Sequence, residues 1–317
     1  MKRAYWYIIL TAVIFSTMEI ALKEVSGSFH PLQMTFTRFL AGGLFLIPFA
    51  VRTLKKKRAS LNWKDLPGFL LLGFVGMVLS MSIYQMSVKE VPASVVAVLF
   101  SSNPIFTAVL AFFMLKEPIR RNQIAALLLE IGGILAIINP FHTSLSPYGV
   151  LLAMISTLLF AVYGVMGKRR CARFGGVVVT CASFLCGGAE MLFMILFSRL
   201  PMVNKWLAGS GLELFANIPL LSGYSWNTLP WMLMICIVNT GLGFACYFKA
   251  MEETSAQETS LVFFLKPVLA PVFAFFILGE VISWNIGLGI AFILIGSLLA
   301  LLPGLRAVQK LPKTPEA

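Results

Sequence analysis

Residues Val91–Glu117 read VPASVVAVLFSSNPIFTAVLAFFMLKE, and residues Thr254–Glu280 read TSAQETSLVFFLKPVLAPVFAFFILGE. Laid over each other at a shift of 163, and continued to Ile137 and Ala300, the two stretches share 13 identities in 47 positions without a gap. Ala93 falls on Ala256, Phe100 on Phe263, Pro104 on Pro267, the trio Ala111, Phe112 and Phe113 on Ala274, Phe275 and Phe276, and Glu117 on Glu280. Tyr84 meets Tyr247 and Glu90 meets Glu253 at the same shift, while Phe15 and Lys23 match Phe160 and Lys168 at a shift of 145. The chain is an internal duplication, which reveals architecture before any single motif does.

Composition says what is duplicated. Of 317 residues, 59% are hydrophobic and only 12% charged, and the mean hydropathy is +0.89. A soluble globular chain carries about a quarter charged residues. In lipid only helices and closed barrels satisfy the backbone, and apolar runs of about 20 residues, rather than ten-residue alternation, select helices. Ten spans are expected, near 5–24, 32–51, 66–87, 93–115, 122–138, 147–167, 175–198, 229–250, 257–278 and 283–302; they are called helices 1 to 10 below. Lys2 and Arg3 before the first apolar run mimic a signal peptide. No small-residue cleavage site follows and Glu19 interrupts the run, so it is expected to stay as a span.

The net charge of +12 does not point to nucleic acid, because the basic residues lie between apolar runs, as at Lys55, Lys56, Lys57 and Arg58 or Lys168, Arg169 and Arg170. With both termini in the cytoplasm, inner loops hold 19 Lys and Arg and outer loops hold 4 (Lys23, Lys89, Arg199, Lys205), which fixes the expected orientation in a plasma membrane. The one long outer segment, 199–228, contains Trp206, Leu207 and Phe215, too short and broken to span and suited to the interface. The five cysteines show no CxxC spacing and read as small packing residues.

The expected organisation is an all-α polytopic membrane protein of two five-helix repeats, 1–138 and 147–302, joined by a breaker-rich loop 139–146 holding His142 and Ser144 and followed by a cytoplasmic tail 303–317. An odd number of spans per half makes the second half cross in the opposite sense. Inverted repeats are a recurring way to build secondary transporters, because two similar halves supply inward-open and outward-open states.

The run Ser28-Phe-His-Pro-Leu-Gln, then Arg38-Phe-Leu, Ala93-Ser-Val-Val-Ala-Val-Leu, Asn103-Pro104, Leu115-Lys-Glu117, and the second copy ending Leu278-Gly-Glu280 together resemble the EamA-type branch of the drug/metabolite transporter superfamily. The resemblance covers nearly all of the chain except 199–228. It implies a secondary carrier with a central cavity lined by helices 1, 3, 4, 6, 8 and 9 and with helices 5 and 10 outside. Family substrates include amino acids, amines, nucleosides and other small metabolites, commonly exported.

Charge in hydrocarbon costs roughly 2.5–3.5 kcal/mol per residue at mid-span, so each such residue needs a partner, water or a function. Five qualify: Glu19, Arg38, Glu130, Glu190 and Lys266. Lys266 precedes Pro267 where the first copy has Asn103 before Pro104, and paired interruptions are the sequence pointer to a transporter's binding site. Ser101, Ser102 and Asn103 either line that site or repair the broken backbone. Glu19, with Tyr84, Tyr163 and Tyr247 at comparable depths, suits an ammonium group or a coupling proton; a static pair with Arg38 or Lys23 is the alternative. If Glu19 and Lys266 face one cavity they bracket a zwitterion.

Arg38 matches the family's second-helix arginine and is assigned chiefly to loops or lipid phosphate. Glu190, after Gly187 and Gly188, reads as a proton relay or a buried pair, and Glu130 as a contact to another helix or to the second subunit of a homodimer. Asn239 and Thr240 read as cavity hydrogen-bonders or interhelical glue, and Glu117 and Glu280 as holding their own following loops or as gate-side ion pairs.

These residues point to a secondary active carrier of a small polar metabolite, foremost an amino-acid or amine exporter working by alternating access. An organic-cation or multidrug exporter, relying on Glu19 and aromatic walls, and a nucleoside-type carrier stay open. An enzyme is not expected: His30 and His142 are the two histidines, Asp65 is the sole Asp, and neither a metal cluster nor a phosphate loop is present in the sequence. No cofactor is called for. The expected partners are a small-molecule substrate, the lipid bilayer and protons, and not nucleic acid.

Overall fold

In the computed structural model the described residues are 2–117, 119, 121–138, 145–210, 213–281 and 283–309. Of helix residues 2, 3, 121, 123, 130, 137, 138, 264, 265, 268, 297, 298 and 300–309 only the backbone is described. His142, Ser144, the Glu130 side chain and the last eight residues of the tail therefore lie outside the description.

The described chain is all-helical. Six helices are long and apolar enough to cross a membrane: helix 2 (Pro31–Lys57), helix 3 (Trp63–Glu90), helix 4 (Ala93–Leu115), helix 6 (Pro147–Phe174), helix 7 (Gly176–Ser198) and helix 8 (Leu229–Glu253). The other expected spans are helical but interrupted or partly outside the description. Helix 1 is split at Thr17 into Lys2–Ser16 and Met18–Val25, and helix 9 at Leu261 into Ala256–Ser260 and Val262–Leu278. Helix 5 covers Arg121–Ile138, and helix 10 runs Trp284–Gln309, past the expected end at 302.

The packing is nested. Helices 5 and 10 lie against each other, helices 2 and 7 form a second pair, and helices 1, 3, 4, 6, 8 and 9 meet in the middle. Phe113, Leu128, Phe193 and Phe276 face outward with more than 60% of their surface exposed, an apolar coat that lipid covers and water would not. Helices 3 and 7 approach most closely where Gly73 faces Gly187: a Cβ on Gly73 would stand 2.4 Å from the Gly187 nitrogen, so only glycine fits.

Segment 199–228 does not float. Its short helix Pro201–Ala208 is followed by a return over the ends of helices 2 and 7, where Ile218 packs with Leu32 and Ile195. Gln33 donates to the carbonyls of Leu220 and Ser222 at 3.1 and 2.8 Å.

Candidate functional site

The centre of the molecule is built on interrupted helices. In helix 1 the break at Thr17 frees the Ile14 carbonyl, which accepts from Thr17 Oγ1 at 2.8 Å and from Asn239 Nδ2 of helix 8 at 2.7 Å; the same amide also reaches Thr17 Oγ1 at 2.9 Å. The break starts a new helix at Met18, with Glu19 in its first turn, where the helix dipole favours a carboxylate. Helix 3 passes through a π-helical stretch at Phe74–Met81 just before Tyr84, and helix 8 through another at Met234–Leu242 before Tyr247. Such wide turns cluster at functional sites. In helix 9, Pro267 removes the hydrogen bond to the Phe263 carbonyl one residue after Lys266.

These interruptions bring Glu19, Tyr84 and Lys266 together. Glu19 Oε1 accepts from the Tyr84 hydroxyl and forms an ion pair with Lys266 Nζ. Glu19 is fully buried and Lys266 is 2% exposed. The ammonium lies 4.8 Å from the Phe100 ring centroid and 5.8 Å from that of Tyr84, which adds attraction to the ring faces. Beside the pair is a small gap with room for about one water molecule, lined by Phe15, Met18, Met81, Tyr84, Phe100, Phe160, Phe244, Phe263 and Lys266. Helices 1, 3, 4, 6, 8 and 9 all contribute. Arg38 borders this cluster, fully buried, its Nη1 3.5 Å from Met18 Sδ.

The other expected site residues are placed differently. Asn103 is buried, but its amide donates to the Thr157 carbonyl at 3.3 Å and its oxygen accepts from Thr107 at 3.0 Å. Ser101 and Ser102 donate back to the carbonyls of Ala97 and Leu99, at 2.8 and 2.7 Å, and so mend the break before Pro104. Tyr163 bonds Ser183 at 2.9 Å, tying helix 6 to helix 7. The Tyr247 hydroxyl is buried against Gly164 with no hydrogen-bond partner among the described residues. Asn239 spends its donors on helix 1, and Glu190 stands on helix 7 with Oε2 unpartnered, in none of these contacts. Glu19's partner is Lys266; Lys23 faces elsewhere.

At the two ends of the bundle the same clasp is built twice. At one end Lys23 donates to the carbonyls of Val88 and Val91 at 2.9 and 3.1 Å, closing the end of helix 3. Two residues on, helix 4 begins, and the Glu280 carboxylate accepts from Ala93 N at 2.8 Å and from Ser94 N and Oγ at 3.1 and 2.6 Å. At the opposite end Lys168 donates to the carbonyls of Met251 and Thr254, the 163-shift equivalents of Val88 and Val91. Helix 9 begins there, and Glu117 accepts from Ala256 N and Gln257 N at 3.3 and 3.4 Å.

This corrects the expectation for the two glutamates. Among the described residues neither contacts its own following loop or forms an ion pair; each satisfies the orphan N–H groups at the start of the opposite repeat's proline helix. It also fixes helices 4 and 9 as antiparallel. The signal for it lay in the sequence as four matched residues, Lys23 with Lys168 and Glu117 with Glu280, but not as a partnership.

Comparison with known proteins agrees with this geometry. The model of the EamA-like transporter family matches residues 2–139 and again 147–302. The chain belongs to the EamA-like transporter family. An uncharacterized transporter from Clostridium kluyveri is 34% identical over 307 residues, 94% of this chain and 93% of its own. A probable terminal-alkyne amino-acid exporter from Streptantibioticus cattleyicolor is 24% identical over 287 residues, 89% of this chain and 87% of its own. A crystal structure with 19% sequence identity superposes with a TM-score of 0.71, covering 96% of this EamA chain and 99% of the other, and shares its fold.

Proposed function

We propose that this multi-pass membrane transporter is a secondary carrier of small amino acids with apolar side chains, in the export direction, and that it works by alternating access. The observation that carries the reading is the duplicated clasp: matched devices at the two ends, each joining the two halves, with one buried ion pair between them. A carrier needs two gates that open in turn, and two interfaces built on one plan at the two ends supply two alternative states. With both clasps made and the cavity small, the conformer described here corresponds to the occluded intermediate. The basic bias of the loops assigns the Lys23–Glu280 clasp to the outside and the Lys168–Glu117 clasp to the cytoplasm.

Glu19 and Lys266 are the groups a zwitterion would engage, ammonium to carboxylate and carboxylate to ammonium, trading one buried pair for two. The relationship to an amino-acid exporter supports the same class. Glu19 is also the carboxylate placed to carry a coupling proton. The purified protein in liposomes tests both points. L-leucine counterflow should be present and should fall at least tenfold in Lys266→Ala, and net leucine uptake should be driven by a pH gradient in the wild type but not in Glu19→Gln. Leucine counterflow unaltered by Lys266→Ala would remove the zwitterion site. Counterflow of an organic cation that survives Lys266→Ala and needs Glu19 would establish the cation-exporter reading, which the aromatic walls favour.

A further inference from the structure

Arg38 brings more hydrogen-bonding capacity to the centre than the protein uses. It is fully buried, and its guanidinium lies 4.6 Å from the Phe39 ring centroid and 5.9 Å from that of Tyr84. Its single polar contact among the described residues is the weak one from Nη1 to Met18 Sδ at 3.5 Å. Nε and Nη2 have no hydrogen-bond partner among the described residues. Those two nitrogens share one edge of the guanidinium, the edge that grips a carboxylate side-on with two parallel hydrogen bonds. Of the three side chains that the guanidinium borders here, Met18 and Tyr84 line the cavity and Phe39 does not, so Arg38 stands one layer behind the cavity wall.

Charge points the same way. The cluster contains two cationic side chains, Arg38 and Lys266, and one carboxylate, Glu19, whose Oε1 is already taken by Tyr84 and Lys266. A buried cation without a counter-charge is costly, and purely structural arginines are held by carboxylates or carbonyls. This one is held by a thioether and ring faces.

We propose that Arg38 is the specificity-determining residue of the site: its Nε–Nη2 edge takes the substrate's carboxylate alongside Lys266, which makes a carboxylate obligatory, while the contact of an ammonium with Glu19 adds to binding without being required. The substrate class is then carboxylates with an apolar body, amino acids included, the body lying among Phe15, Met81, Phe100, Phe160, Phe244 and Phe263. The inference rests on the carrier reading above and sharpens it.

Three probes of one shape separate the groups: L-leucine, L-leucinamide, which lacks the carboxylate, and 4-methylpentanoate, which lacks the amine. Counterflow in liposomes should admit leucine and 4-methylpentanoate and disfavour leucinamide at least tenfold. Arg38→Gln and Arg38→Met should erase that discrimination, and Arg38→Lys should retain part of it. A second readout distinguishes recognition from support: Arg38→Met should melt at or above the wild-type temperature, because it removes an unpaired buried charge, whereas a structural arginine would be missed. Discrimination that persists in Arg38→Met, or leucinamide moved by the wild type as well as leucine, would overturn the assignment and leave the carrier standing. Absence of counterflow for all three probes in the wild type would overturn the amino-acid reading and this inference with it.

Discussion

Glu280 and Ala93 are 187 residues apart in sequence, yet the carboxylate of one closes the first N–H of the helix that the other begins, at 2.8 Å. Glu117 does the same for Ala256 at 3.3 Å. Each half thus finishes the helix start of the other, and the contact that joins the halves is the one that parts in the proposed alternating-access cycle. A charge-assisted hydrogen bond is worth roughly 1.5–3 kcal/mol when well shielded, less where solvent reaches it, which is strong enough to set a population and weak enough to break.

The two clasps are not equal. Glu280 accepts three hydrogen bonds of 2.6–3.1 Å, Glu117 two of 3.3–3.4 Å. Glu280→Gln is therefore expected to lower the thermal midpoint of the detergent-solubilised protein more than Glu117→Gln. Equal shifts, or the reverse order, would show that the Glu280 clasp is not the stronger one.

The central ion pair is a buried one, for which removing a single partner strands the other. Lys266→Met and Glu19→Gln should each cost about 3–5 kcal/mol, and the double variant should recover most of that stability while remaining inactive. Differential scanning of the four proteins reads this directly. Additive losses in the double variant would mean that the two groups do not depend on each other.

Asn239 is the prop of the helix-1 break. Asn239→Leu leaves the Ile14 carbonyl with only the Thr17 hydroxyl and amide, and should destabilise by roughly 1–3 kcal/mol. Hydrogen exchange should then increase at residues 14–21 before it does elsewhere. Unchanged protection there would show that helix 1 holds its break unaided.

How much of this could be read in advance depended on distance along the chain. The helical rods were legible because lipid leaves the backbone no other choice, and the duplication because Phe100, Pro104 and Glu117 have matched counterparts. Lys266 and Glu19 stood out because charge is rare in such runs. Their pairing did not, since Tyr84, Lys23 and Arg38 were equally plausible neighbours until helix 9 was placed beside helix 1. The break at Thr17 carries no proline or glycine, and its support comes from Asn239, 225 residues away from Ile14. The π-helical stretches of helices 3 and 8 have no compositional mark. Asn103 and Lys266, matched in sequence, diverge in role because Thr157 and Thr107 lie within reach of the first and Glu19 within reach of the second.

His30 caps helix 2, its Nδ1 accepting from Leu32 N at 3.3 Å. Burial, helped by the nearby Lys89, holds the imidazole below its ordinary value of 6.5. A group that is harder to protonate when folded gives stability that is whole above the ordinary value and lost as pH falls through the folded one. Between about pH 7.5 and 5 the wild type should lose more thermal stability than His30→Asn, which keeps a cap that cannot titrate. Parallel curves for the two proteins would remove His30 as the cause.

The decisive measurement is a pair of distances. In a background with the five native cysteines replaced, spin labels at Lys89 and Val281 report the Lys23–Glu280 clasp and labels at Lys116 and Glu258 the Lys168–Glu117 clasp; all four positions are exposed. Pulsed dipolar spectroscopy should show Glu280→Gln lengthening the first distance while the second stays short, and Glu117→Gln doing the opposite. Both distances lengthening together in either variant, or neither changing in both, would contradict alternating access through these two clasps.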